Sequence, residues 1–338
     1  MKLSILDQAP VSSGYSAKEA LEATIELAML AEKLGYTRYW VAEHHDLKGL
    51  ASPAPDILLG IIGSQTERIR IGSGAVLLPN YKPFNIAERY NLLATLYPER
   101  VDIGLGRAPG GSAETSIALA GNFLEQVKKM PELLDELHHF LHHNFPADHI
   151  FSKVSAAPMP TSAPVPWLLG TSKKSAILAA EKGMPYVFGH FMSDQEGPSI
   201  VKTYRNNLKQ GIPEIIITVS VICAETTEEA EEMALSNLLW RVQQDKGKGK
   251  DGVPSIDEAK DYLFNDHELV MIEKMKEKQI IGNPQEVRAK LEKLQAVYQT
   301  DEIMIVTITH DYEARRKSYQ LIAEACDLEI ISDCINDK

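Results

Sequence analysis

Residues 69–105 read IRIGSGAVLLPNYKPFNIAERYNLLATLYPERVDIGL. Ile69–Gly74 is a short β-branched and apolar run that predicts a strand, Ile86–Leu96 carries helical apolar spacing, and Val101–Leu105 predicts a second strand. Two strands joined through a helix pair in parallel by a right-handed crossover. The same unit repeats outward in both directions. Upstream lie the strand Lys2–Asp7, the helix Ala17–Leu34, the strand Thr37–Ala42 and the helix Pro55–Gln65. Ser16 with Glu19 three places later forms a capping box, and Gly35 suits the left-handed end of that first helix.

Downstream, helices over Asn122–Met130 and Pro131–His143 lead into a proline-rich excursion, Phe145–Val165. Then come the strand Trp167–Gly170, the helix Lys173–Lys182, the strand Tyr186–Gly189, the helix Ile200–Gln210, the strand Ile215–Ile222 and the helix Thr227–Gln244. A second excursion, Gln243–Gly282, precedes the helix Pro284–Val297, the strand Glu302–Thr307 and the helix Tyr312–Ala325. Eight strands apolar on both faces, alternating with helices, predict a single α/β domain over 1–338: a (β/α)8 TIM barrel with insertions after strands 4 and 7. An open doubly wound sheet is the alternative. The second excursion begins QQDKGKGKDGVPS, so residues 243–282 are expected to be mobile, either as a solvated loop or as a lid over a ligand.

The 338 residues are 44% apolar and 24% charged, which excludes disordered and low-complexity classes. A formal net charge of −12 argues against a nucleic-acid or anionic-membrane partner. Cys223, Cys326 and Cys334 lack CxxC spacing, and no apolar run approaches the roughly 20 residues of a membrane span. A soluble cytoplasmic protein is expected.

In a barrel the residues just after each strand line the one open mouth. Here they are Glu43-His44-His45, the run after Gly74, the run Gly106-Arg107-Ala108-Pro109-Gly110-Gly111, and Gly170-Thr171-Ser172. Neighbouring His44 and His45 cannot both face the mouth of an extended segment. HEXXH is missing, so no metal is expected, and a histidine here is read either as a proton donor and acceptor or as a structural group. GLGRAPGG carries Pro109 where a dinucleotide fingerprint needs its third glycine. Arg107 nonetheless offers a fork matched to phosphate, and Ser172 caps a helix whose free amides form an anion site. The histidines at 138, 139, 142 and 143 are read as a solvated helix face.

The segments GYTRYWVAEHH, RIRIGSGAVLLPNYKPFNIAERYNLL, PERVDIGLGRAPG and PWLLGTSKKSAILAAEKG, in this order, make the chain resemble the bacterial luciferase-like flavin-dependent monooxygenases. The likeness runs through most of the chain. It implies a barrel binding FMN at the strand-exit face, with His44 near the reacting centre and a cis peptide at Gly74-Ala75 beneath the flavin ring. It further implies Glu88 near the flavin and a phosphate site of Arg107, Thr171, Ser172 and Ser175. Gly106 stands where luciferase has a reactive thiol, so light emission and a long-chain aldehyde preference do not carry over. The expected activity is oxygenation of a small organic substrate, aldehyde-like or other, using O2 and reduced FMN from a separate NAD(P)H flavin reductase, by a homodimer. A deazaflavin-dependent dehydrogenase and a non-enzymatic flavin-binding protein are the alternatives.

Overall fold

The computed structural model describes residues 1–247, 249 and 252–330. Cys334 and three residues of the Lys-Gly run, at 248, 250 and 251, lie outside them. Among the described residues nine parallel strands are present: β1 (Lys2–Asp7), β2 (Arg38–Val41), β3 (Arg70–Leu77), β4 (Val101–Gly106), β5 (Val165–Gly170), β6 (Tyr186–Gly189), β7 (Ile215–Cys223), β8 (Gln279–Gly282) and β9 (Glu302–Val306). β1 to β7 pair in sequence, β7 pairs β9 and β9 pairs β1, closing an eight-stranded barrel ringed by helices. The open-sheet alternative is thereby overturned.

The eight strands read from the sequence are all present, shifted by a few residues at their ends. β8 is the addition. Ser220 of β7 pairs Val306 on one side and Gln279 on the other, so β8 extends β7 on the edge that β6 has already left.

Period-two alternation along the strands separates two apolar layers. Tyr39, Val41, Ile303 and Ile305 face the helices, in one core with Leu27, Leu59 and Ile322. Trp40, Met304 and Val306 face the barrel axis, with Leu6, Trp167, Val187 and Ile216. The indoles of Trp40 and Trp167 meet edge to face at 5.9 Å. Glycine makes room for them: a Cβ on Gly72 would lie 2.6 Å from Trp40 Nε1. At the strand-entry end a buried charge network ties five strands together. Arg38 donates to Asp102 and Glu302, each at 2.8 Å, Arg70 donates to Asp102, and Ser4 donates to Glu302 at 2.5 Å. Asp102 also accepts from Trp40 Nε1 at 3.1 Å.

The insertion after β4 holds the expected helices as Phe123–Lys128 and Met130–His142, preceded by a helix Ala113–Ala120 that the sequence reading lacked. Its small residues bury only Ser116, so no apolar stripe marks it. Between β7 and β9 the long helix Thr227–Asp245 is followed by helices Ile256–Asp261 and Asp266–Glu277. Much of the 243–282 segment is therefore helical. Ile272 packs on Ala230, Ala234 and Leu238 with Phe264, Met271 and Met275, giving this part its own small core. Both helices open on capping boxes, Ser255 with Glu258 and Asn265 with Glu268.

Candidate active site

β2 delivers its following residues to the strand-exit face. Glu43 is buried, and its carboxylate accepts from Tyr81 Oη at 2.9 Å, His45 Nε2 at 2.7 Å and the Leu77 amide at 3.1 Å. That triple anchoring turns His45 aside and leaves His44 facing the mouth. The His44 amide donates to the Ser52 carbonyl, and its buried ring Nδ1 has no partner. Burial, with a smaller push from His45, lowers the His44 pKa to about 4, so the imidazole is neutral at neutral pH.

β3 contributes a cis peptide at Gly74-Ala75, where its register against β4 shifts between Ser73 and Val76. β4 ends in Gly106 and exposed Arg107, which forms no hydrogen bond or ion pair among the described residues. β5 runs through Gly170 and Thr171 into the helix Lys173–Glu181, capped by Ser172. Ser172 Oγ accepts from the Ser175 amide at 3.3 Å, and Ser175 Oγ accepts from the Ser172 amide at 3.2 Å. Ser175 Oγ also lies 3.0 Å from Tyr186 Oη. Burial raises the Tyr186 pKa to about 12, against opposing pulls from its hydrogen bond to Ser175 and then from the charge of Arg107.

One cavity of about 360 Å³ brings together His44, Gly74, Ala75, Arg107, Thr171, Ser172 and Ser175. Glu88 is half-buried on the helix Pro83–Leu96 and is not among the residues lining it. The apolar walls are Leu6, Leu77, Leu169, Val187, Phe191 and Met192. The sequence reading missed Gln8, Gly189, Phe191 and Met192, although the strand-exit rule, applied to β1 and β6, points to them, and it missed Thr218, which lies within β7. Glu43 was seen only as a neighbour of the histidines, since nothing in its spacing shows which donors will surround it. Among the described residues no three His, Cys, Asp or Glu side chains converge to hold a metal.

The donor set fits a phosphorylated planar ring. Arg107, which has no hydrogen bond or ion pair among the described residues, the Ser172-capped helix N-terminus, apolar side chains and His44 line the same cavity.

Residues 1–300 match the model of the luciferase-like monooxygenase family. The chain belongs to that family. An uncharacterised protein of Bacillus subtilis, YceB, is 44% identical over 95% of this chain and 98% of its own. N-acetyl-S-alkylcysteine monooxygenase of the same organism is 36% identical over 96% of this chain and 98% of its own. The crystal structure of apo-MsnO8 superposes with a TM-score of 0.89 at 34% identity, covering 98% of both chains. In (β/α)8 barrel enzymes generally the active site lies at the strand-exit face. Among the described residues no helix is long and apolar enough to cross a membrane.

Proposed function

We propose that this chain is the oxygenating component of an FMN-dependent, two-component monooxygenase that acts on a small organic substrate. The observation that carries the reading is the meeting of Arg107 and the Ser172-capped helix in one cavity with apolar walls. Bound reduced FMN supplies the two electrons that activate O2. Arg107 and the first-turn amides after Ser172 bind the phosphate, and Ser175, itself fixed by Tyr186, holds that turn in place. Gly74, Ala75, Leu6 and Leu169, which line the cavity, would hold the ring. Phe191 and Met192 exclude water from the reacting side. His44, neutral and with a free Nδ1, offers a hydrogen bond there and moves a proton as a weak base.

Pro109 interrupts the glycine pattern that dinucleotide binding needs, which favours oxidation of NAD(P)H on a separate reductase. The protein works as a homodimer in this reading. Ile57 and Ile61 on the helix Pro55–Ser64, with Leu92 and Leu96 on its neighbour Pro83–Leu96, form an exposed apolar face suited to a second copy.

Thermal unfolding with FMN and with riboflavin tests the phosphate site. FMN stabilises the wild type more than riboflavin does, because ligand affinity for the folded form raises its melting temperature. Arg107→Ala removes charge-assisted bonds of about 1.5–3 kcal/mol, so FMN binding falls roughly ten- to a hundredfold while riboflavin binding barely changes. An equal loss for both ligands contradicts the phosphate role of Arg107.

A further inference from the structure

A second cavity, of about 400 Å³, adjoins the first and shares Gln8, Phe191 and Met192 with it. The insertion between β7 and β9 builds its far side. Val270, Met271 and Met275 come from the helix Asp266–Glu277, while Val306 and Ile308 come from the end of β9. The helix Thr227–Asp245 turns Asn237 and Arg241, one helical turn apart, toward the same space, and β8 adds Gln279.

The polar groups are sorted by depth. Asp194, Asp245, His267 and Lys274 are exposed at the rim, where solvent and salt screen them, and Lys278 is already paired with Asp194. Arg241 is different. It is half-buried, its pKa is lowered by desolvation, and it has no hydrogen-bond or ion-pair partner among the described residues. A partly desolvated guanidinium left without an anion is costly, and in this fold it lines a cavity. Beside it, the buried acceptors Asn237 Oδ1 and Gln279 Oε1 also lack partners. The rest of the wall mixes Gln8 and Ser220 with aromatic, aliphatic and thioether side chains.

From this we infer that the second cavity is the substrate pocket and that it selects a small organic carboxylate, whose carboxyl group is received by Arg241. Its apolar arm lies along Met271, Met275 and Phe191 toward the first cavity. The planar guanidinium fork matches a carboxylate, while the cavity's lysines are exposed at the rim or already paired with Asp194. The assignment rests on reading the first cavity as the flavin site, because it is that neighbour which makes the second a substrate pocket.

The test uses full-length protein saturated with FMN and three matched pairs of probes: N-acetylmethionine, hexanoate and benzoate, each against its uncharged primary amide. Isothermal titration reads binding of each probe, and a separate fluorescence titration reads FMN. At least one carboxylate is expected to bind about tenfold or more tighter than its amide. Arg241→Gln should abolish that preference, Arg241→Lys should restore part of it, and FMN affinity should stay unchanged in both. The proposal is overturned if no carboxylate binds in preference to its amide, or if the preference survives Arg241→Gln. Failure of FMN binding with the carboxylate preference intact would instead remove the flavin reading and leave the anion pocket standing.

Discussion

At the scale of single residues, His44 joins a chemical role to a measurable thermodynamic signature. Its ring is held neutral because burial disfavours the imidazolium, which brings its pKa to about 4. An unfolded chain takes up that proton near pH 6.5. Between these two values the unfolded state binds more protons than the native state, so native stability rises with pH across the window and is lost as pH falls from about 6.5 toward 4. For a lowering of this size the loss is of the order of 3 kcal/mol. Urea unfolding at pH 7.5 and at pH 5 should show about 2 kcal/mol of that decline in the wild type and a markedly smaller one in His44→Asn. Identical pH dependence in the two proteins would mean that the ring is not buried in solution. Glu43 does the positioning beside it. Its three donors occupy the carboxylate and hold His45 away from the cavity.

At the scale of an element, the turn from β5 into the helix Lys173–Glu181 is held from within. A Cβ on Gly170 would lie 2.2 Å from Ser175 Oγ and 2.4 Å from Ser175 Cβ, so the first turn of the helix has to move if one is added. Gly170→Ala is therefore expected to weaken FMN at least about tenfold, with a smaller effect on riboflavin, measured by flavin fluorescence titration. Gly183 follows the same helix at φ +64°, a Cβ there would meet nothing within 4 Å, and it serves as the control. Gly183→Ala should cost about 1 kcal/mol of stability through backbone conformation and leave FMN affinity unchanged. Equal flavin loss in both variants would show that the turn is only a structural connection. The Ser172 cap was legible beforehand from a serine placed between a strand and a helix. Its link to Tyr186 was not, because β6 reaches Ser175 only after the barrel closes.

At the scale of the whole molecule, the exposed apolar face on the helices after β2 and β3 leads to an assembly prediction. Sedimentation equilibrium should give about 75 kDa, twice the 37.5 kDa chain, and the double variant Ile61→Asp, Leu92→Asp should sediment as a folded monomer. A monomeric wild type would remove that interface.

The barrel's eight strands, most of its helices and the polar tips that follow the strands could be read from the sequence alone. The signals behind them are local: β-branched runs, capping serines, and glycines beside prolines at strand ends act over a few residues. What only the tertiary structure decided depends on distance through space. Closure of β9 on β1 converted a series of strand tips into one cavity, and it left Glu88 on an outer helix, outside its lining. The packing of the β7–β9 insertion set Arg241 beside Asn237 and Gln279 without a partner, because burial and pairing belong to neighbours that the linear chain holds far apart.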